Sequence, residues 1–499
     1  MSSRLARLAA NLAALATASA VQAQTKVIYV DDDAPAGGDG SSWAQALNDL
    51  SEALSLATTV NNYQVEVQVA EGIYTPDSAS GDQSLSFEIR SKAPTSAIVM
   101  TVPGGFSLLG GFRGLSGGGS PDDRDPSRYV TVLSGDLAGD DGPGFINRGD
   151  NSDRVLDVTS LDSVTVDGFT IRGAHAAQGV AAVTVGSVPI EGQVPTPLIT
   201  FSRCLFVDNL GGEAVLFSTK DWAGIQTRLL IADCGFAANK FYDRGFNSDL
   251  GTVVIGTLTT ADIVRTRFVA NQSLYGVGGV VGLTSWPMNI QDCVFAGNST
   301  VAGYASALWL PGDRNHVTRC TIVANRAESP MTPAVATREN FFTDCIFQPY
   351  PGASVRTQVQ FHTCCGKFTL EHCAIAGGMD AFANNPSSVR YLSGNISSNP
   401  QFIDLDGQDN DINTWGDNDV RLAQTSPCID AGRAIASPAG VTDLWGAPRL
   451  VDGNGDSLVR LDMGAHEYGI APCPSDFDHS GFVDTDDFDA FIQAFEAGC

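Results

Sequence analysis

The residues best suited to chemistry lie at the end of the chain. Asp476, Asp478, Ser480, Asp484 and Asp487 occupy positions 1, 3, 5, 9 and 12 of one stretch, with Gly481 at position 6 and Phe482 at position 7. Oxygen side chains at this spacing converge when the backbone wraps a hard cation that takes about six to eight oxygen ligands. The glycine permits the sharp turn, and position 7 contributes its carbonyl. The expected ion is Ca2+, held by Asp476, Asp478, Ser480, Phe482, Asp484 and Asp487. Phe488, Phe491, Ile492 and Phe495 then recur at helical spacing, so a short amphipathic helix is expected to follow the loop. A second acidic run, Asp452-Gly-Asn454-Gly-Asp456, begins in the same way but has Ser457 where the glycine is needed and Met463 at position 12. Asp404 to Asp411 is read as an acidic loop.

Elsewhere the chemistry-bearing residues are scattered. Adjacent aspartates occur only in expected loops or in the tail, so no carboxylate pair is set up across a scissile bond. The six histidines never fall at a metal-ligand spacing. His362 and His372 flank Cys364, Cys365 and Cys373, yet His372 and Cys373 would point to opposite faces of a strand, which does not make a zinc site. Lys220, Arg265 and Arg267 are single basic residues of the kind a polysaccharide lyase uses to take a proton, but residues placed singly like this are far more often solvated surface charges. No catalytic residue is assigned. Trp222, Trp286 and Trp309 fall in the loop part of three successive repeat units, where they form either a sugar-stacking strip or loop packing.

The elements that must hold such residues follow from a phrase, Cys-x-Phe-x-x-Asn, that returns about every thirty residues. It reads Cys204-Leu-Phe206-Val-Asp-Asn209, Cys234-Gly-Phe236-Ala-Ala-Asn239 and Cys293-Val-Phe295-Ala-Gly-Asn298, with Cys320-Thr-Ile322-Val-Ala-Asn325 in the same frame. Looser copies start at Phe169, Thr266, Cys345 and Cys373, giving steps of 35, 30, 32, 27, 27, 25 and 28 residues. Alternation within each unit is strand spacing, and helix signals are scarce between residues 150 and 400. The expected fold is all-β, a right-handed parallel β-helix solenoid. In such a coil each repeated residue stacks on its copy about 4.8 Å away. Phe and Ile at the third position would form an inner apolar column, and Cys at the first would act as a small buried hydrophobe. The Asn would occupy a left-handed turn and bond to the Asn above and below.

Composition agrees with a long β-solenoid: 499 residues contain 53 glycines and only 17% charged residues. A net charge of −27 argues against nucleic acid or anionic membrane as partners. Arg4 and Arg7 precede an apolar stretch, Leu8 to Ala18, and small residues ending at Ala23. That pattern predicts a signal peptide over 1–23, with a mature protein that is secreted or held at the cell surface and has no membrane span. The expected organisation continues as N-terminal cap and first rungs over 24–130, coils over 131–400, closing rungs over 401–470 and the calcium tail over 471–499. Val27 to Val30 and Val65 to Val69 read as strands. Between them Ser42-Trp43-Ala44-Gln45 predicts a capped helix start, with Leu47, Leu50 and Leu54 on one face. Of the eleven cysteines, six belong to the repeat ladder, and Cys473 and Cys499 are the preferred disulfide.

A resemblance supplements this reading. Ile28-Tyr-Val-Asp31, Gly40-Ser-Ser-Trp43, Glu71-Gly-Ile-Tyr-Thr-Pro76 and Gly110-Gly-Phe112 resemble phrases of secreted bacterial pectin-lyase-like β-helix proteins, in the same order. Asn399-Pro-Gln-Phe402, Ser426-Pro-Cys-Ile-Asp-Ala-Gly432 and Asp462-Met-Gly-Ala-His-Glu-Tyr468 resemble their closing signature. The tail looks like a dockerin repeat and ends in Gly498-Cys499, like dockerin-like anchors of exported bacterial proteins; a full dockerin has two calcium loops where this chain has one. The resemblance implies a cohesin-like or sorting partner for the tail and a polysaccharide or cell-surface ligand for the coil. The Asn-Thr-Asp, Gly-His-Gly and Arg-Ile-Lys phrases of polygalacturonases are missing. The expectation is therefore a non-catalytic, exported binding protein, the alternative being a polysaccharide lyase or glycoside hydrolase acting on acidic polysaccharide.

Overall fold

A computed structural model describes residues 24–60, 63–76, 86–90, 105–176, 181–186, 196–212, 214–218, 227–241, 251–256, 259–274, 277–282, 286–301, 305–310, 314–327, 332–336, 339–351, 359–361, 368–378, 380, 389–434 and 441–469. The expected signal peptide, calcium tail and Cys473 to Cys499 disulfide all lie outside the described residues. So do Trp222, Lys220, His362, Cys364 and Cys365.

Alternating apolar residues wind the chain into a right-handed parallel β-helix, as the repeat predicts. A first sheet of 12 strands runs from Thr25–Val30 through Leu198–Ser202 to Val389–Tyr391. The second sheet has 10 strands and carries the repeated phrase, in strands such as Leu205–Val207, Gly235–Ala237 and Arg267–Val269. A third sheet of 9 strands, from Phe87–Arg90 to Val359–Phe361, completes the coil, and 5 two-residue strands beginning with Leu210–Gly211 bridge second to third. Every pairing within these four sheets is parallel. Phe206 pairs in register with Phe236, Phe236 with Phe268, and Phe268 with Phe295.

In-register winding turns each inward position into a column. The rings of Phe206, Phe236, Phe268 and Phe295 stack at centroid spacings of 4.3, 5.0 and 4.8 Å. All four are fully buried, each worth about 3 to 5 kcal/mol against truncation to Ala. The six ladder cysteines are buried free thiols, at most 4% exposed, and pack as small hydrophobes. Asn209, Asn239, Asn271, Asn298 and Asn325 form a buried amide ladder, in which the Nδ2 of Asn209, Asn239, Asn271 and Asn298 donates to the next Oδ1 at 3.1, 2.9, 3.0 and 2.9 Å. The left-handed residue, however, is the one before the Asn: Asp208, Ala238, Ala270, Gly297 and Ala324 have φ of 53, 52, 54, 60 and 50°. The Asn takes an ordinary φ because its amide must point inward to reach both neighbours.

One end of the coil is covered by a helix, α1, Leu50–Thr59. Its start differs from the expected one. Ser42 makes no side-chain capping bond and leads only a single 3-10 turn, Trp43–Gln45. Asp49 is the N-cap, accepting from the Ser51 and Glu52 amides at 2.6 and 3.3 Å. Leu50, Ala53, Leu54 and Ala57 bury the helix face on the first turn of coil, whereas Leu47 bridges to Val30 outside the helix. Trp43 packs between Tyr29 and Phe112 instead. At the other end, residues 402–434 and 441–468 fold back across the outer face of the second sheet. Phe402, Trp415, Leu444 and Trp445 pack there on Val294, Ala296 and Val323. Asp409, Asp411, Asp452 and Asp456 accept backbone amides within their own turns, so both acidic runs are loops.

Candidate functional site: a groove over the second sheet

The corner joining first to second sheet requires one residue of left-handed backbone per rung. Arg203, Asp233, Arg265, Asp292, Arg319, Asp344 and His372 fill it, with φ of 49, 56, 45, 55, 51, 54 and 49°. Their charges alternate, so the corner is a ladder of opposite signs at rung spacing. Pairing runs by twos. Arg203 bonds Asp167 at 2.6 Å, Arg265 bonds Asp233 through both guanidinium nitrogens at 2.6 and 2.8 Å, and Arg319 bonds Asp292 at 2.7 and 2.9 Å. Each guanidinium is held charged above its ordinary range; for Arg203 and Arg265 the carboxylate hydrogen bond is the main cause, whereas for Arg319 burial is the largest single effect and lowers it, but the Asp292 hydrogen bond and the nearby negative charges together outweigh it.

The closing segment reads the same ladder. Buried Arg449 reaches Asp292 at 2.6 Å and Glu467 at 3.2 Å, and Arg433 reaches Asp344 at 3.1 Å. Ala465 donates its amide to the Thr321 hydroxyl at 3.0 Å. These contacts fix the described parts of the closing segment, residues 402–434 and 441–468, over the later rungs. The rungs that begin at Arg203, Asp233 and Arg265 stay open.

Over those three rungs lies a groove of about 650 Å³. Its floor is the outward column Leu205, Gly235 and Arg267, in register with one another. Gly235 makes a dip, since a Cβ there would lie 3.0 Å from the Leu205 side chain. Asp125, Pro126 and Ser127 line one end, and Trp415 and Leu444 the other. Arg265 and Arg203 edge it at the corner, both engaged by carboxylates. Arg267 differs. Among the described residues no carboxylate lies within ion-pair distance of it, and its guanidinium sits 5.1 Å from the Trp445 ring centroid. Arg267 keeps solvent contact, yet the closing segment crowds it closely enough that burial, with Arg421 adding repulsion and Asp443 and Asp419 opposing it, pulls its pKa below the ordinary value.

Two other places gather charge. A cleft of about 400 Å³ is lined by Asp136, Asp141, Arg148, Arg172 and Asp208, but its buried Arg148 is paired with Asp141 at 2.9 Å. Oxygens of Asp31, Asp32 and Asp33, and of Asp136, Asp140 and Asp150, lie within 4.8 Å of one another and could take a cation. Asp31, Asp32, Asp136 and Asp150 already accept backbone amides of their own or neighbouring loops.

The structure separates residues the sequence groups together. Trp286 is exposed at a loop, as expected, but Trp309 lies in the strand Ala305–Leu310, half-buried on the outer small-residue face of the third sheet. Trp309 is thus placed on a strand rather than in the loop part of its unit, whereas Trp286 is in a loop. Arg265 and Arg267 do come together, two residues apart across a strand start. The aromatics that join them, Trp415 and Trp445, belong to the closing segment. Only the Trp-rich character of residues 415–445 signalled them, because the fold-back of that segment has no period.

Comparison with known proteins adds the following. No protein-family profile matches the chain, and no curated protein sequence does. Among solved structures, the crystal structure of pectate lyase Pel9A aligns over 90% of this chain and 98% of its own, with 14% identity and a TM-score of 0.46. That of the pectin methylesterase from Aspergillus niger in deglycosylated form aligns over 75% and 85%, with 13% identity and a TM-score of 0.19. The fold of this chain rests on its own parallel sheets.

Proposed function

We propose that this chain is an exported β-helix protein that binds an acidic saccharide in the groove over the second sheet and is attached through its calcium-binding tail. The observation that carries the binding reading is Arg267: a cation with no carboxylate partner among the described residues, set beside tryptophans in a concave site of a chain whose net charge is −27. Aromatic faces suit the C–H faces of sugar rings, and a guanidinium fork suits a uronic-acid carboxylate. Electrostatic complementarity at that one point would select an anionic ligand against an acidic background. Export and attachment draw their support from the sequence alone, through residues 1–23 and the Asp476 to Asp487 loop.

The test is calorimetric titration of the chain from residue 24 onward with uronic-acid oligomers. Arg267→Ala is expected to weaken binding by about tenfold or more, close to 1.4 kcal/mol. Arg267→Lys should recover part of that, since charge returns without the planar fork. Undiminished affinity in Arg267→Ala would sink the reading. One feature supports elimination chemistry as a second reading: the downward pull on Arg267 is the direction a proton-abstracting base requires. Hydrolysis has no such support, because the groove carboxylates are engaged, Asp233 by Arg265 and Asp125 by Ser127 within its own turn. Following the absorbance of unsaturated products in the same titrations decides; turnover that vanishes in Arg267→Ala would replace binding with a lyase.

A further inference from the structure

Resting on the saccharide reading, we infer that the groove takes a chain end or a short oligosaccharide and excludes the axial run of a long polymer. A parallel coil by itself offers an open lane along its axis, with identical strands continuing in both directions. Here that lane is interrupted twice, by side chains packed onto the rungs themselves.

At one end the wall is Pro126. A Cβ added to Gly111 or Gly168 would meet it at 2.7 and 2.8 Å, so the proline ring rests on bare backbone. Arg124 fastens this loop, donating to the Gly110 carbonyl at 2.9 Å and pairing with Asp167. At the other end the wall is Trp415. A Cβ on Gly297, whose φ is +60°, would lie 1.7 Å from the indole nitrogen, so the ring lies directly against that rung. Behind it Val294, Ala296 and Val323 are covered by the closing segment, which Arg449 fixes to Asp292. Between the walls three rungs remain, about 14 Å along the axis at the usual strand spacing. A pyranose ring is about as long as one rung is tall, so the lane holds a few rings and then stops.

Arg267 lies on the last open rung, next to the Trp445 and Trp415 end. A terminal uronic acid directed toward that wall would meet the unpaired guanidinium with its carboxylate and the indoles with its ring. Selection for an end then follows from shape, and selection for an acidic end from charge.

The experiment compares uronic-acid oligomers of increasing defined length with the parent polymer and with the same polymer partly cleaved. Affinity is expected to stop rising after a few sugar units. Binding capacity per mass of polymer should grow in proportion to the number of ends created by cleavage. Trp415→Ala, which removes one wall, should raise the capacity for uncleaved polymer relative to that for short oligomers at least severalfold. Capacity that follows polymer mass regardless of its ends would overturn the inference and leave the saccharide reading intact. Binding of neither oligomer nor polymer would overturn that reading, and this inference with it.

Discussion

At the scale of single residues, the coil repeats two demands on every rung: an inward apolar or amide group, and one residue tolerant of left-handed backbone at each corner. The Asn column meets the first. Asn271 accepts from the amide and Nδ2 of Asn239 and donates to the Phe236 carbonyl at 2.8 Å and to Asn298 at 3.0 Å. Its loss leaves several buried polar groups without partners, each costing about 1 to 3 kcal/mol. Asn271→Ala is therefore expected to destabilise its own and both adjacent rungs by on the order of 3 kcal/mol. Hydrogen exchange mapped by peptide should show the loss centred on residues 236–298, and protection unchanged there would refute the ladder's structural role. The sequence repeat makes this column plain, since Asn recurs in frame. It does not reveal that the residue before it carries the positive φ. Asp208, Ala238 and Ala324 are too varied to signal a common backbone state, and Ala gives no chemical hint of one.

Elements impose a different logic, because the closing segment has no repeat and is held by charge pairs buried beneath it. Asp462 is fully buried beside Glu467 and accepts amides of Asp430 and Tyr468; burial first, then the Glu467 charge, pushes its pKa up to about 8. Burial likewise raises Asp344, Asp443 and Glu467. A folded-state pKa above the unfolded one favours the protonated fold, so this contribution is complete below the ordinary carboxylate range and is lost as pH climbs, for Asp462 through about 8. His466 works at the other side. Burial and the nearby Arg421 and Arg449 hold its pKa down to about 3, and its neutral Nδ1 accepts the Leu422 amide at 3.1 Å. That contribution is present above the usual histidine range and fades as pH falls toward 3. Where the two windows overlap, in mild acid, they offset each other. The closing segment should thus be firmest in mild acid and loosen toward alkaline pH, by up to roughly 1.4 kcal/mol per pH unit for each group titrating. Exchange rates of peptides within residues 420–468, corrected for intrinsic chemistry, should rise between about pH 6 and about pH 9. Asp462→Asn should flatten that rise, and a pH-independent segment would refute the assignment.

For the whole molecule, legibility divides along periodicity. The coil, its aromatic and Asn columns and the buried thiols could be read from the spacing of Phe206, Phe236 and their copies, because a solenoid repeats each local environment and so repeats each residue choice. The groove could not. It arises where non-repeating pieces, Pro126 on one side and Trp415 with Trp445 on the other, leave three rungs bare, and that is a matter of long-range packing rather than period. Arg265 and Arg267 were visible as isolated cations; only the distinction between one engaged by Asp233 and one left to Trp445 gives them different work. A division of labour follows for the chain as a whole. On the proposed function, ligand binding falls to rungs 203–269 and attachment to the expected calcium loop more than two hundred residues later in the sequence, with no residue shared. Asp476→Ala removes the first expected ligand of that loop, so it should lower calcium affinity by at least tenfold, about 1.4 kcal/mol, and reduce helicity over residues 485–497. The same variant should bind uronic-acid oligomers as the parent chain does, whereas Arg267→Ala should keep its calcium and lose the sugar. Calorimetry of both variants with both ligands checks this directly. Unchanged calcium heats in Asp476→Ala would remove the loop assignment, and joint loss of both ligands in either variant would show that tail and groove are one site rather than two.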